Sequence, residues 1–477
     1  MRNTELWAKP ATELAEMIRA KSVSPSEILD SVLDRVDAVE PTIHAFITIT
    51  HDLARAEAAA ATERAQRGEL ISAMDGIPYS IKDLENTAGI RTTMGSMFFT
   101  DNVPDANSVV AGRLRSSGGV LLGKTNTPHF GYKDMADNLV AETTVNPWDT
   151  TRTVGGSSGG AAAAVASGLG ALAQGSDGAG SIRIPAALCG VVGFKPSFGR
   201  IPVHPSREYW SHRTHNGPLT RTVADAALMT AVMAGSDDRD PGSIATDLEE
   251  FAPLPRSDRP LAGRKIRWSP DLGYGPVSAD VAHVVAGAVR TLEELGCTVE
   301  EKAPGWDDPS EFHRVIYTTQ IAAGLGPLAD RHPEWIENTL MELITIGRKY
   351  SAIELKTAEF KRAALYNTAL SLFEQIDFLI TPAMPLEAWS AEPGPGLREI
   401  DGTRLPADMG RSYAVNPFNM TGQPAITIPC GWTAAGLPVG VQIVGRRHQD
   451  IDVLQFAHVL EQSLSVVDRW PVLPATT

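Results

Sequence analysis

Apolar positions recur at helical spacing near the start of the chain and gather into short unbroken runs further along. Leu6, Leu14, Met17 and Ile18 form a partial helical stripe within residues 4–20. Ser24-Pro25-Ser26-Glu27 supplies a capping serine with proline in the first turn, which predicts a second helix to about Val39. Residues 54–67 mix alanine with charge and predict a helix with a solvated face. Gly76 to Ile81 then alternates as a short strand does, and delivers Lys82 at its end. Gly119-Val120-Leu121-Leu122 is a compact apolar run suited to a buried strand. Residues 161–173 carry alanine at most positions, with only Gly168 and Gly170 opposing a helix, and being apolar all round that helix is expected to be buried.

The second half reads less evenly. A helix is expected to open near residues 217–225 and run through Ala234, and residues 236–260, rich in Asp, Pro and Ser, read as a surface connection. Lys265-Ile266-Arg267-Trp268 predicts a strand, residues 279–295 a helix ended by Gly296, and residues 298–300 another strand. Strand, helix, strand implies a crossover in a largely parallel sheet. Residues 306–379 are mostly helical by periodicity. Residues 377–382 form a buried strand with a proline stop, and residues 436–444 complete the sheet.

Length alone would suggest two or three domains, yet no Pro/Ser linker or low-complexity run divides the 477 residues. The formal charge of −15 argues against a nucleic-acid or anionic-membrane surface, each of which needs clustered positive charge. Met1 to Pro10 lacks the basic-then-apolar pattern of a secretory signal, and no window holds eighteen uninterrupted apolar residues, so the cytoplasm is the expected location. Three widely spaced cysteines, Cys189, Cys297 and Cys430, make neither a disulfide framework nor a zinc cluster, and are expected as buried small hydrophobes.

The candidate chemistry lies between Thr153 and Ser197. Gly155-Gly156-Ser157-Ser158-Gly159-Gly160 sets two hydroxyls in a run whose backbone is unusually free. Gly178-Ala179-Gly180-Ser181 brings a third serine onto a tight loop whose NH groups could face an oxyanion. Three other patterns are weaker. Gly118 to Thr125 satisfies the written phosphate-loop pattern, but its centre is a strand-forming run instead of a loop. The Gly-x-Ser-x-Gly matches around Ser157 and Ser158 lack the apolar strand that a nucleophile elbow follows. His204, His212 and His215 lack metal-ligand spacing, and no metal or cofactor is expected.

GGSSGG, the alanine-rich segment and SDGAGSIRIPAALCGVVGFKPS together resemble the amidase signature, and the resemblance extends over nearly the whole chain. It implies one large α/β domain over residues 1–477, with a central mixed, mostly parallel, twisted sheet covered by helices on both faces. The catalytic core would span about 70–230 and 375–465, with a variable, mostly helical specificity region at about 300–375. The nucleophile would be Ser181, activated by Ser157 on a cis peptide, with Lys82 completing the triad. Lysine can accept a proton only when neutral, which burial favours. Gly131, Gly178, Ala179 and Gly180 would bind substrate or oxyanion, and Ser158, Asp177 and Arg183 would support them. Three positions depart from the family pattern: Ala179, commonly glycine; His129, frequently acidic; and Ser197, in place of threonine.

The activity so implied is hydrolysis of a small or medium uncharged aryl or alkyl amide through an acyl-enzyme, extending to carbamates and esters. The alternative is the glutamine-hydrolysing subunit of a tRNA-dependent amidotransferase complex. That subunit usually carries Gln where Ile184 stands here. The expected partner is a small-molecule amide or carbamate, with no nucleic acid and no membrane, and a homodimer stays open.

Overall fold

The sequence patterns resolve, in a computed structural model describing residues 5–248, 251, 254, 261–392, 399–405 and 411–473, into a large mixed sheet between helices. The strands are β1 (Phe46–Ile49), β2 (Pro78–Lys82), β3 (Val120–Thr125), β4 (Val145–Asn146), β5 (Asp149–Thr153), β6 (Leu172–Asp177) and β7 (Val192–Lys195). They continue as β8 (His215–Thr220), β9 (Lys265–Trp268), β10 (Thr298–Glu301), β11 (Phe378–Pro382), β12 (Glu399–Ile400), β13 (Thr403–Arg404), β14 (Ala425–Trp432) and β15 (Pro438–Gly445). Eleven of them form one sheet in the order β1-β3-β2-β6-β8-β7-β14-β15-β11-β9-β10, while β4-β5 and β12-β13 are separate pairs. Every residue of β2, β6 and β15 is buried, as helices on both faces require.

The expectation of a mostly parallel sheet is corrected. Four pairings are parallel, β2 with β3 and with β6, and β9 with β10 and with β11. The other six are antiparallel. The β9-helix-β10 crossover is parallel as read, but it does not represent the sheet. Strands β14 and β15 are joined by a tight turn, with Thr433 N–H donating to the Leu437 carbonyl at 2.9 Å, and only antiparallel neighbours can be linked so briefly. Strand β8 also slots antiparallel between β6 and β7.

Most helices begin where the sequence puts them. Ser24 caps Pro25–Ile43 in a reciprocal capping box with Glu27, and the helix runs past Val39 to Ile43 although Pro41, which has no N–H, forgoes one bond in its last turn. The alanine-rich helix spans Gly159–Ser167 and is buried throughout. It stops short of the expected residue 173 because Gly168 adopts a left-handed backbone (φ +78°), and residues 172–177 become β6. Residues 215–220 are likewise strand, and the following helix is Val223–Met233. Helices Ser310–Arg331, Asn338–Gly347 and Ala352–Phe373 fill the stretch expected to be helical. Of the surface connection at 236–260, residues 249–250, 252–253 and 255–260 lie outside the described residues. The three cysteines are buried and free, and among the described residues no helix is long and apolar enough to cross a membrane.

Candidate active site

Strand β2 ends in Lys82, whose side chain is fully buried under the helix Gly159–Ser167. Its position is fixed from the backbone, where Lys82 N–H donates to Gln174 Oε1 of the neighbouring β6 at 3.1 Å. Nζ lies 2.7 Å from Ser157 Oγ, 2.9 Å from Ser158 Oγ and 3.2 Å from Ser176 Oγ. Burial pushes the Lys82 amine down to about 7, with the carboxylates of Asp177 and Glu85 opposing that shift. A lysine so placed divides between amine and ammonium near neutral pH and can exchange a proton with the hydroxyls around it.

The first serine cluster meets this amine directly, and the second joins it through the backbone. The Gly156–Ser157 peptide is cis, as the resemblance implies, and Ser158 N–H donates to the Ser181 carbonyl at 3.1 Å. Ser158 Oγ also bonds the Ser176 backbone, accepting from N–H at 3.3 Å and donating to the carbonyl at 3.2 Å. Gly131 belongs to the same site, because a Cβ placed on it would stand 3.2 Å from Ser157 Oγ.

Asp177 and Arg183 organise the loop between them. Arg183 Nε and Nη2 both donate to the Asp177 carboxylate at 3.0 Å, and both side chains are wholly buried. The carboxylate accepts in addition from Gly180 N–H at 2.7 Å, Ile182 N–H at 3.1 Å and Asn419 Nδ2 at 2.7 Å. Burial alone would raise Asp177, but the guanidinium and the amide bonds hold it well below the usual carboxylate range. Arg183 spends its remaining donors on the Val415 carbonyl, Gln442 and Asn419. The pair is therefore a brace beneath the loop.

One expectation for the loop is corrected by these bonds. Gly180 N–H is committed to Asp177, so it is not free for an oxyanion. The NH groups of Gly178, Ala179 and Ser181 have no hydrogen-bond partner among the described residues. Ala179 lies outside the left-handed region, so its methyl imposes no backbone strain, and Gly178, Ala179 and Ser181 are all partly exposed.

The departures from the family pattern take up different stations. His129 is fully buried, shares a hydrogen bond with Ser96 Oγ at 2.9 Å and stacks on Phe130. Burial and Lys133 press it down to about 4, so it is neutral at pH 7. Ser197 Oγ accepts from His448 N–H at 2.8 Å and anchors a connection. His215 sits in β8 with Nδ1 against the Arg213 carbonyl at 2.7 Å. Lys124, the lysine of the phosphate-loop pattern, lies in strand β3 as its apolar neighbours imply.

Sequence reading misses Ser176, Gln174 and Asn419. Ser176 stands one residue before the singled-out Asp177, and the two-residue period of a strand turns it toward the same face as Gln174. Asn419 has nothing local to mark it, since its partners Asp177 and Arg183 are 242 and 236 residues away in sequence.

Comparison with known proteins shows the family of the chain. Residues 27–454 match the Amidase family. An acylamidase of Rhodococcus erythropolis is 37% identical over 468 residues, covering 97% of this chain and 96% of that one. A glutamyl-tRNA(Gln) amidotransferase subunit of Picosynechococcus sp. is 34% identical over 491 residues, covering 96% and 99%. Among solved structures, a bacterial aryl acylamidase of the amidase signature enzymes superposes with a TM-score of 0.88 at 29% identity, covering 97% of this chain and 99% of that one. A 6-aminohexanoate cyclic dimer hydrolase bound to its substrate gives 0.84 at 28%, covering 98% and 99%.

Proposed function

From the premise that the chain belongs to the Amidase family and is an amide-cleaving hydrolase, we propose that it cleaves the C–N bond of a small or medium uncharged aryl or alkyl amide through an acyl-enzyme on Ser181. The observation that carries this reading is the buried Lys82 amine, 2.7 Å from the hydroxyl of Ser157. Neutral Lys82 takes the proton of Ser157 as Ser157 takes that of Ser181, and Ser181 Oγ attacks the substrate carbonyl. The tetrahedral oxyanion faces the free NH groups at Gly178, Ala179 and Ser181, beside Gly131. Ser157 then returns a proton to the leaving nitrogen, because an amine anion will not depart, and the C–N bond breaks. Water repeats the cycle and releases the acid. The same steps serve carbamates and esters. No cofactor takes part in them, and the cytoplasm is the location in keeping with the reading.

Residues 300–375 are the specificity region in this proposal. Helix Ser310–Arg331 sends Tyr317 Oη to the Tyr132 carbonyl, Thr339 meets Tyr132 Oη, and Glu337 pairs with Lys133 at 2.9 Å. These contacts reach the loop that carries Gly131, so sequence changes in the helices are felt beside Ser157. The amidotransferase alternative receives less support. The acylamidase shares more identity with this chain than the amidotransferase sequence does, 37% against 34%. Ile184 is also packed among Met135, Leu188 and Val415, where a glutamine amide would be buried in apolar surroundings.

A fluorophosphonate probe tests the assignment. Mass spectrometry of the labelled protein is expected to find the adduct on Ser181, and recovery on Ser157 or Ser158 would overturn it.

A further inference from the structure

A guanidinium taken out of water ordinarily meets a carboxylate, because an unpaired buried charge is costly. Arg183, Arg200 and Arg264 do so, reaching Asp177, Asp450 and Asp377 at 3.0, 2.9 and 3.1 Å. Arg213 is as deeply placed, only 5% exposed, and among the described residues it meets no carboxylate at hydrogen-bond distance. Its Nη1 donates to His313 Nε2 and its Nη2 to Gln320 Oε1 at 3.1 Å, while Cζ lies 5.3 Å from the centre of the Tyr317 ring. All three partners are neutral, His313 because burial and Arg213 itself hold it well below its ordinary range. A guanidinium can only donate, so His313 Nε2 accepts and the ring proton sits on Nδ1, which is buried and finds no acceptor among the described residues. Arg362 brings a second positive charge to the same segment, donating to the Ser211 carbonyl at 2.9 Å and the His212 carbonyl at 3.5 Å. Donors and positive charge are therefore in surplus here, in a chain whose net charge is −15.

Contacts on two sides place Arg213 at the active site. Thr214, the next residue, has its Oγ1 3.9 Å from where a Cβ on Gly178 would stand, and the Arg213 carbonyl accepts from Nδ1 of His215, the residue of β8 that pairs with Asp177, at 2.7 Å. On the other side Tyr317, whose ring the guanidinium faces, gives its hydroxyl to the carbonyl of Tyr132, next to Gly131. Arg213 thus stands between the loop that carries Ser181 and the loop beside Ser157. Gln320 is exposed, so the guanidinium lies one side chain beneath the surface. Fastening the helix Ser310–Arg331 to the sheet is a task that a neutral side chain would perform without burying a charge.

We propose that Arg213 is a substrate-binding residue that takes a carboxylate carried by the substrate away from the scissile bond, which extends the uncharged amides proposed above to amides with one anionic end. The proposal rests on the acyl-enzyme reading. A carboxylate accepts from two guanidinium N–H groups at once and cancels the charge that the protein leaves unpaired. It has two sources: the acyl part, as in a monoamide of a dicarboxylic acid, or the amine part, as in an N-acyl aminobenzoate.

Isosteric pairs of substrates separate these sources. For the acyl part they are the mono-nitroanilides of succinic and glutaric acid against those of succinamic and glutaramic acid, and for the amine part para-acetamidobenzoate against para-acetamidobenzamide. In the wild type kcat/KM is expected to favour the carboxylate over its carboxamide on one of the two parts by about 10- to 100-fold, chiefly through KM. Arg213→Gln is expected to abolish that preference and Arg213→Lys to keep some of it. A wild type that does not favour the carboxylate on either part would overturn the proposal. So would an Arg213→Gln variant that lowers carboxylate and carboxamide by the same factor, which would leave Arg213 as a fastener of the helix. Should Arg213→Gln not fold, Arg213→Lys decides with the wild type, and a carboxylate preference undiminished in it rejects the assignment. Failure of the underlying reading would look different: turnover retained in Ser181→Ala on every substrate of the series, which would take the proposal with it.

Discussion

Gly178 and Gly180 flank one alanine in the same loop, yet the structure assigns them opposite tolerances. Gly180 has φ +113°, and a Cβ there would meet Val415 Cγ2 at 2.3 Å and Ile184 Cδ1 at 2.9 Å. It cannot swing away, since its N–H is bonded to Asp177 and its carbonyl accepts from Ile184 N–H at 2.7 Å. Gly180→Ala therefore combines about 1–2 kcal/mol of unfavourable backbone conformation with about 1–3 kcal/mol of overpacking, a loss of roughly 2–5 kcal/mol. Gly178 has no positive φ, and its added Cβ would find only Thr214 Oγ1, at 3.9 Å. Gly178→Ala is expected to change stability by no more than about 0.5 kcal/mol. Urea midpoints compared at constant slope measure both, and fluorophosphonate labelling rates report whether the loop still presents Ser181. Equal midpoints for the two variants would refute the reasoning, because the clash and the φ distinguish them and little else does.

Three further outcomes follow from the site. Ser157→Ala should depress cleavage of a nitroanilide more than that of the matched nitrophenyl ester, since a phenolate can leave unprotonated and an amine cannot; equal losses would mean that Ser157 does not protonate the leaving group. With Lys82 brought to about 7 by burial, kcat/KM of the wild type should fall as pH drops below about 7, where the amine takes up a proton, and Lys82→Ala should lose roughly 100- to 10,000-fold in turnover while remaining folded by circular dichroism. Arg183→Met leaves the Asp177 carboxylate buried without its cation, and is expected to lower stability by about 3–5 kcal/mol by urea denaturation; a midpoint unchanged from the wild type would remove the brace from the account.

What the sequence could and could not carry separates along a physical line. Capping at Ser24, the apolar run at 120–122 and the strand leading to Lys82 are written in adjacent residues, and each stands where its local pattern put it. Sheet direction is not local. A single strand-helix-strand unit at 265–301 suggested parallel pairing throughout, whereas the insertion of β8 between β6 and β7 depends on partners that no local window contains. The helix expected over 161–173 failed by a related route: alanine propensity carried the pattern past Gly168, but the left-handed turn there ends the helix and frees residues 172–177 to pair with β2 and β8.

The same division runs through the site. The serines and the permissive loop could be chosen by type and spacing, and Lys82 through the resemblance to the amidase signature. The fate of a single N–H could not, and Gly180 shows why. Its neighbours Gly178 and Ala179 leave theirs free, while its own is taken by an aspartate three residues before it that is held in place by Arg183 and by Asn419, some 240 residues further on. Glycine at 180 is thus explained by the φ and the packing that the brace imposes, and not by the approach of substrate. The N–H groups left free in the loop are the ones that the Asp177 cluster does not consume, so under the proposed reaction the donors offered to an oxyanion are selected from behind the loop by a buried charge pair.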